Sequence, residues 1–177
     1  ALIILARRLI SPKFKDQVEL ERMTSVPVIG EICHSDEKEN IVIGDQVATP
    51  IAELFRLLRN NISFIPGGAE NKVILLTSAV SGEGKTFVSL NLAMTYALTG
   101  KRVVVLGLDI RRPVLAHLVG LRNSRGITTY LSEQEDDIDS LIFPTTSSEN
   151  LFVMPAGPVP PNPNELLLSK RMDTLIA

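Results

Sequence analysis

Thiols are almost absent from this chain. A single cysteine, Cys33, stands among 177 residues, so neither an internal disulfide nor a thiolate cluster can form, and the composition suits a reducing compartment. Histidine is nearly as scarce. His34 and His117 are isolated, with no partner at metal-ligand spacing, which argues against zinc. Positive charge is not in excess either: 18 Lys and Arg face 20 Asp and Glu, for a net charge of -2. No basic footprint marks a nucleic-acid partner. No apolar run is long enough to span a bilayer. The apolar stretch Ala1–Leu5 precedes Arg7, Arg8, Lys13 and Lys15, as where a membrane helix meets the cytoplasm. From those residues alone an ordinary amphipathic helix packed on the domain is the favoured reading, because five apolar residues prove nothing. There are only two tyrosines, Tyr96 and Tyr130.

What is present describes one well-packed globular domain, with 45% hydrophobic and 21% charged residues. Val26–Ile32 reads as a short strand or extended segment, which Pro27 confines to an edge or a start. Thr49 is a good N-cap and Pro50 suits the first helical position. Ile51, Leu54, Phe55, Leu58 and Ile62 then recur at helical spacing as one buried stripe. From residue 72 the pattern alternates. Val73–Leu76 is a short apolar run before a glycine loop, and a helix from Lys85 to Thr99 stops at Gly100. Val103–Leu106 and Leu151–Met154 read as further strands, covered on both faces. This alternation predicts an α/β domain with right-handed crossovers and a mainly parallel sheet. After the Pro-rich turn at 155–163, Asn162, Pro163 and Glu165 form a capping box for a helix running to the end.

The strongest chemistry lies in Ala79-Val80-Ser81-Gly82-Glu83-Gly84-Lys85-Thr86. This is a phosphate-binding loop, between an apolar run and a helix start, where such a loop must sit. Gly82 and Gly84 permit the tight backbone that aims N–H groups at phosphate oxygens. The helix N-terminus adds its positive end. Lys85 would reach the β- and γ-phosphates, and the Thr86 hydroxyl would hold Mg²⁺. Ala79 replaces the first glycine of the general pattern. Ser81, Gly82, Glu83, Gly84, Lys85 and Thr86 are thus the expected nucleotide-binding residues. The motif implies a nucleotide but no particular reaction.

Leu106-Gly107-Leu108-Asp109-Ile110-Arg111-Arg112-Pro113 follows at the C-terminal end of the next strand, where ligands bind in open α/β sheets. Together with the phosphate loop, this segment resembles the second Walker-type motif of the bacterial tyrosine kinases of exopolysaccharide export. Asp109 matches that motif's second aspartate and Arg111 its basic residue. Glu53, Arg56 and Arg59 match the family's E-x-x-R-x-x-R helix and fall at offsets of about sixty degrees along it. Pro155-Ala156-Gly157 with 160–167 resembles its turn-and-helix, and Val26–Gly30 its juxtamembrane segment. The resemblance covers most of residues 20–173.

It implies a three-layer P-loop domain, lacking its C-terminal strands, that binds ATP and Mg²⁺. Lys85, Asp109 and Arg111 become the expected catalytic residues, and Thr86 and Asp109 the metal ligands. Glu53, Arg56 and Arg59 would join subunits into a homo-oligomeric ring. The partner would be a membrane-embedded chain-length regulator, or transmembrane segments of the same protein, at the cytoplasmic face of the inner membrane. Residues 1–20 then form a juxtamembrane segment and 21–177 an incomplete kinase domain. Gly107 stands where the family usually has its first aspartate, and the strand bearing the Walker B aspartate has no counterpart before Ala177. The implied activity is tyrosine autophosphorylation; the fragment alone is expected to be inactive. Two readings compete with it. One is a regulator without kinase activity whose ring assembly is governed by nucleotide. The other is a partitioning-type ATPase, although those place a lysine where this chain has Val80. Tyr96 is expected in the core, Tyr130 packed on the sheet, and Glu83, Lys101 and Arg102 facing solvent.

Overall fold

A computed structural model describes residues 17–35, 39–45, 48–65, 67 and 73–176. The first helix, α1 (Gln17–Met23), is followed by α2 (Pro50–Phe64), which begins where the sequence places it. The Thr49 hydroxyl accepts a hydrogen bond from the Ala52 N–H at 3.3 Å, and Pro50 occupies the first turn. The apolar stripe then faces inward, burying Ile51, Phe55 and Leu58. Residues 26–32 join no strand ladder among the described residues. Asn61 donates to the Ile29 carbonyl at 2.8 Å, and Ile29 and Ile32 pack on the core below α2. Of the expected juxtamembrane segment at 1–20, residues 1–16 lie outside the described residues. Among the described residues, no helix is long and apolar enough to cross a membrane.

The expected helix after the phosphate loop is α3 (Lys85–Ala97), and Gly100 follows in the left-handed region at φ 81°. Beyond it come β1 (Val103–Leu106), α4 (Leu115–Leu118), α5 (Ile127–Leu131), β2 (Phe143–Pro144) and β3 (Leu151–Met154). β1 and β3 pair in parallel, Val103 opposite Leu151 and Leu106 opposite Met154. β2 adds a short antiparallel edge, so the sheet order is β1-β3-β2. Side-chain alternation sorts these strands into two cores. Val103, Val105, Leu151 and Val153 face α2 and α3, with Phe55 and Phe87 meeting edge to face at 5.8 Å. Leu106 and Met154 point to the opposite face, against Ile127, Tyr130 and Leu131 of α5. The result is the expected three-layer α/β arrangement.

Two elements differ from expectation. Val73–Leu76 forms no ladder, and Val73, Ile74 and Leu75 remain exposed. A strand needs a bonded neighbour. Here a groove of about 1340 Å³ separates this segment from β1, lined by Val73–Thr77 on one side and Val103–Asp109 on the other. β1 is consequently bonded along one edge only among the described residues. The C-terminal helix is also broken, into α6 (Pro163–Leu167) and α7 (Lys170–Ile176). Its capping box does not close: the Asn162 side-chain amide donates to the Glu165 carboxylate at 2.8 Å and caps no backbone group.

Candidate nucleotide site

The phosphate loop takes its shape from two glycines and a carboxylate. Gly82 and Gly84 lie at φ 91° and 90°, in the region that disfavours side chains. Between them Glu83 turns its side chain back into the loop, accepting the Ala79 N–H at 2.9 Å and the Val80 N–H at 3.2 Å. Glu83 is exposed, as expected, and its carboxylate also ties the loop. The loop's own unpaired donors draw the carboxylate in. The N–H groups of Gly84, Lys85 and Thr86 belong to the first turn of α3, whose donors have no partner within the helix.

The second segment meets the loop at the end of β1. The ladder with β3 continues one residue further, through Gly107 N–H to the Met154 carbonyl at 2.9 Å, before the chain turns away. Asp109 then accepts the Arg112 N–H at 3.1 Å with one carboxylate oxygen. Its other oxygen lies 3.5 Å from Lys85 Nζ, and both side chains are about one-third exposed or more. Lys85, Thr86, Asp109 and Arg111 all line the groove. Arg111 does not reach the Lys85–Asp109 pair; it donates to the Asn164 side-chain carbonyl at 2.8 Å. Thr86 and Asp109 offer the hard oxygen donors that Mg²⁺ takes, completed in such sites by phosphate and water. The donor set therefore fits that ion.

Gly107 is explained by space. A Cβ there would come within 2.9 Å of Ala156 N and 3.3 Å of Leu115 Cδ2. The position points into the 155–156 turn, not toward Lys85.

The proposed docking ladder on α2 is engaged inside the chain. Arg56 pairs with Glu53 and donates to the Gly44 carbonyl. Arg59 donates to the Thr95 carbonyl at 2.9 Å, in the last turn of the phosphate-loop helix. A cation at this end offsets the helix dipole. Asn91, which the sequence did not single out, is fully buried and holds residues 40–42 onto α3 by accepting from Val42 N–H and donating to the Asn40 carbonyl. Tyr130 packs in the core with Arg171 over its ring at 4.2 Å. Tyr96 is only partly buried, on the groove wall, with Lys101 Nζ 5.7 Å from its ring centroid. Burial pushes its phenol up, and Arg59 opposes this weakly. Arg102 lies over Phe152, so neither basic residue is merely solvated. Among the described residues, no group of three His, Cys, Asp or Glu lies together as a metal cluster.

A loop, a helix start and an acidic residue at the neighbouring strand end define a P-loop nucleotide site. The family model described as "ParA: NUBPL iron-transfer P-loop NTPase" matches residues 70–170. The chain belongs to the ParA family of P-loop NTPases. Within this P-loop family, its similarity is to bacterial tyrosine kinases. It is 36% identical over 135 residues to the putative tyrosine-protein kinase CapB of Staphylococcus aureus, covering 76% of this chain and 58% of CapB. To the tyrosine-protein kinase Wzc of Salmonella typhi it is 37% identical over 153 residues, covering 86% and 21%. The solved kinase domain of Escherichia coli tyrosine kinase ETK superposes with a TM-score of 0.80 at 29% identity, over 91% of this chain and 66% of that one. The chimerical protein CapA2B2 gives 0.77 at 29% identity, over 90% and 68%. This P-loop chain thus spans less than two thirds of the length of these curated kinases.

Proposed function

We propose that this chain is the nucleotide-binding part of an ATP-dependent protein-tyrosine autokinase that regulates exopolysaccharide or capsule synthesis and export. The observation that carries the reading is the approach of Asp109 to Lys85 beside the phosphate loop, at 3.5 Å. A P-loop alone serves many reactions; this pairing, together with the similarity to CapB, Wzc and ETK, narrows the choice. Lys85 neutralises charge on the terminal phosphates while the α3 start and the loop N–H groups orient them. Thr86 and Asp109 would hold Mg²⁺, which would offset the charge developing on the phosphates. Position 107 supplies no base, and a loose transition state asks mainly for alignment and charge neutralisation.

One acidic side chain, Asp109, pairs with Lys85 among the described residues. Residues 1–20 lead to the cytoplasmic face of the inner membrane and a chain-length regulator, and residues 21–177 form the kinase domain. Subunits close into a ring through the α2 face bearing Glu53, Arg56 and Arg59, whose internal bonds hold that face rigid.

Gly107 favours a second reading, in which nucleotide governs ring assembly and no phosphate is transferred. Mass spectrometry of the intact protein after incubation with Mg-ATP separates the two. Phosphotyrosine that disappears in Lys85→Met establishes the kinase; clear ATP binding without phosphotyrosine leaves the assembly regulator.

A further inference from the structure

Arg111 and Asn164 are 53 positions apart in sequence, yet the Arg111 guanidinium donates to the Asn164 side-chain oxygen at 2.8 Å. The contact is assembled from both sides. On one side, Asp109 caps the Arg112 N–H and so fixes the turn that presents Arg111. On the other, Pro163 sets the first turn of α6, and the Asn162–Glu165 bond ties the turn before it to that helix. Arg111, Pro113 and Pro163 line the same groove as Lys85, Thr86 and Asp109. A long guanidinium at an exposed site otherwise samples many rotamers, and holding it in one costs side-chain entropy. The amide oxygen of Asn164 provides a fixed acceptor that selects one direction without neutralising the charge.

We infer that Asn164 is a positioning residue for Arg111: it holds the guanidinium at the groove, leaving its remaining N–H donors for the phosphates of bound nucleotide. The turn-and-helix segment at 155–167 then has a part in the site beyond starting a helix. This rests on the nucleotide reading of the Lys85–Asp109 site, but not on tyrosine being the acceptor.

A double-mutant cycle in the intact protein tests it, using Asn164→Ala, Arg111→Ala and both together. Dissociation constants for Mg²⁺ with a non-hydrolysable ATP analogue are read beside the rate of phosphotyrosine formation. Asn164→Ala is expected to weaken analogue binding about 5-fold, the effect of losing one charge-assisted hydrogen bond. In the Arg111→Ala background the same change is expected to do nothing. Asn164→Gln, which keeps a neutral amide oxygen as acceptor, is expected to recover most of the binding lost in Asn164→Ala. Equal losses from Asn164→Ala with and without Arg111, or no recovery by Asn164→Gln, would overturn the inference. Absence of phosphotyrosine in every variant would defeat the kinase reading alone, and the binding cycle would still decide the role of Asn164.

Discussion

Replacing Glu83 by alanine removes the acceptor that ties the phosphate loop across its own mouth. The carboxylate takes two backbone N–H groups, from Ala79 and Val80, at 2.9 and 3.2 Å. Hydrogen bonds to an ionised group contribute about 1.5–3 kcal/mol when sheltered, and an exposed pair such as this falls well below their sum, at about 1–2 kcal/mol. Without the staple, that ordering free energy must come from nucleotide binding, because fixing each loop residue costs about 1–2 kcal/mol. Glu83→Ala is therefore expected to weaken ADP binding by about 5- to 30-fold, with Glu83→Gln in between. Calorimetric titration of the intact protein measures it. The opposing effect is repulsion between the carboxylate and the phosphates. Tighter binding by Glu83→Ala would show that repulsion wins and that the staple does not preorganise the loop.

Three further outcomes follow from the geometry. Gly107→Ala places a methyl 2.9 Å from Ala156 N, so it is expected to cost about 1–3 kcal/mol of stability by overpacking; Gly107→Asp likewise destabilises without raising transfer, and faster phosphorylation at unchanged denaturation midpoint would contradict this. Arg59→Met leaves the Thr95 carbonyl without its donor and is expected to cost about 1 kcal/mol in chemical denaturation, even in a monomeric preparation; a loss seen only in the assembled ring would show that the Thr95 bond adds no stability within the subunit. Burial raises the Tyr96 phenol, so the folded state holds its proton to higher pH than the unfolded chain. Stability should then fall as pH rises above the ordinary tyrosine value, near 10. Tyr96→Phe should flatten that decline in denaturation midpoints between about pH 9 and 11; equal slopes would refute the assignment.

Local signals were the legible ones. Thr49 and Pro50 start α2 within a few residues of one another, and the stripe through Phe55 and Leu58 is buried as its spacing demands. The phosphate loop and the apolar runs at 103–106 and 151–154 were equally plain, because each carries its own conformational instruction. Val73–Leu76 has the same composition as those strands and is not one, since strand formation depends on a neighbour that composition does not encode. At the site, Lys85 and Asp109 come together as their motifs indicate. The partners of Arg59 and Arg111 do not show in sequence, because Thr95 and Asn164 are brought to them only by tertiary folding. Gly107 reads as a lost carboxylate along the chain and as a steric requirement in the fold. The loop bonds of Glu83 do not show in sequence for a different reason: the unpaired N–H groups of the loop take an acceptor from within it.

The central claim is that Lys85 and Asp109 act together on the terminal phosphate of ATP. Transfer of label from γ-labelled ATP to tyrosine in the intact protein tests it most directly, comparing wild type with Asp109→Asn. The amide keeps the shape but loses the charge that faces Lys85 and the metal. Transfer slower by about 100-fold or more, with nucleotide still bound, is the predicted result. Undiminished transfer by Asp109→Asn would contradict the account.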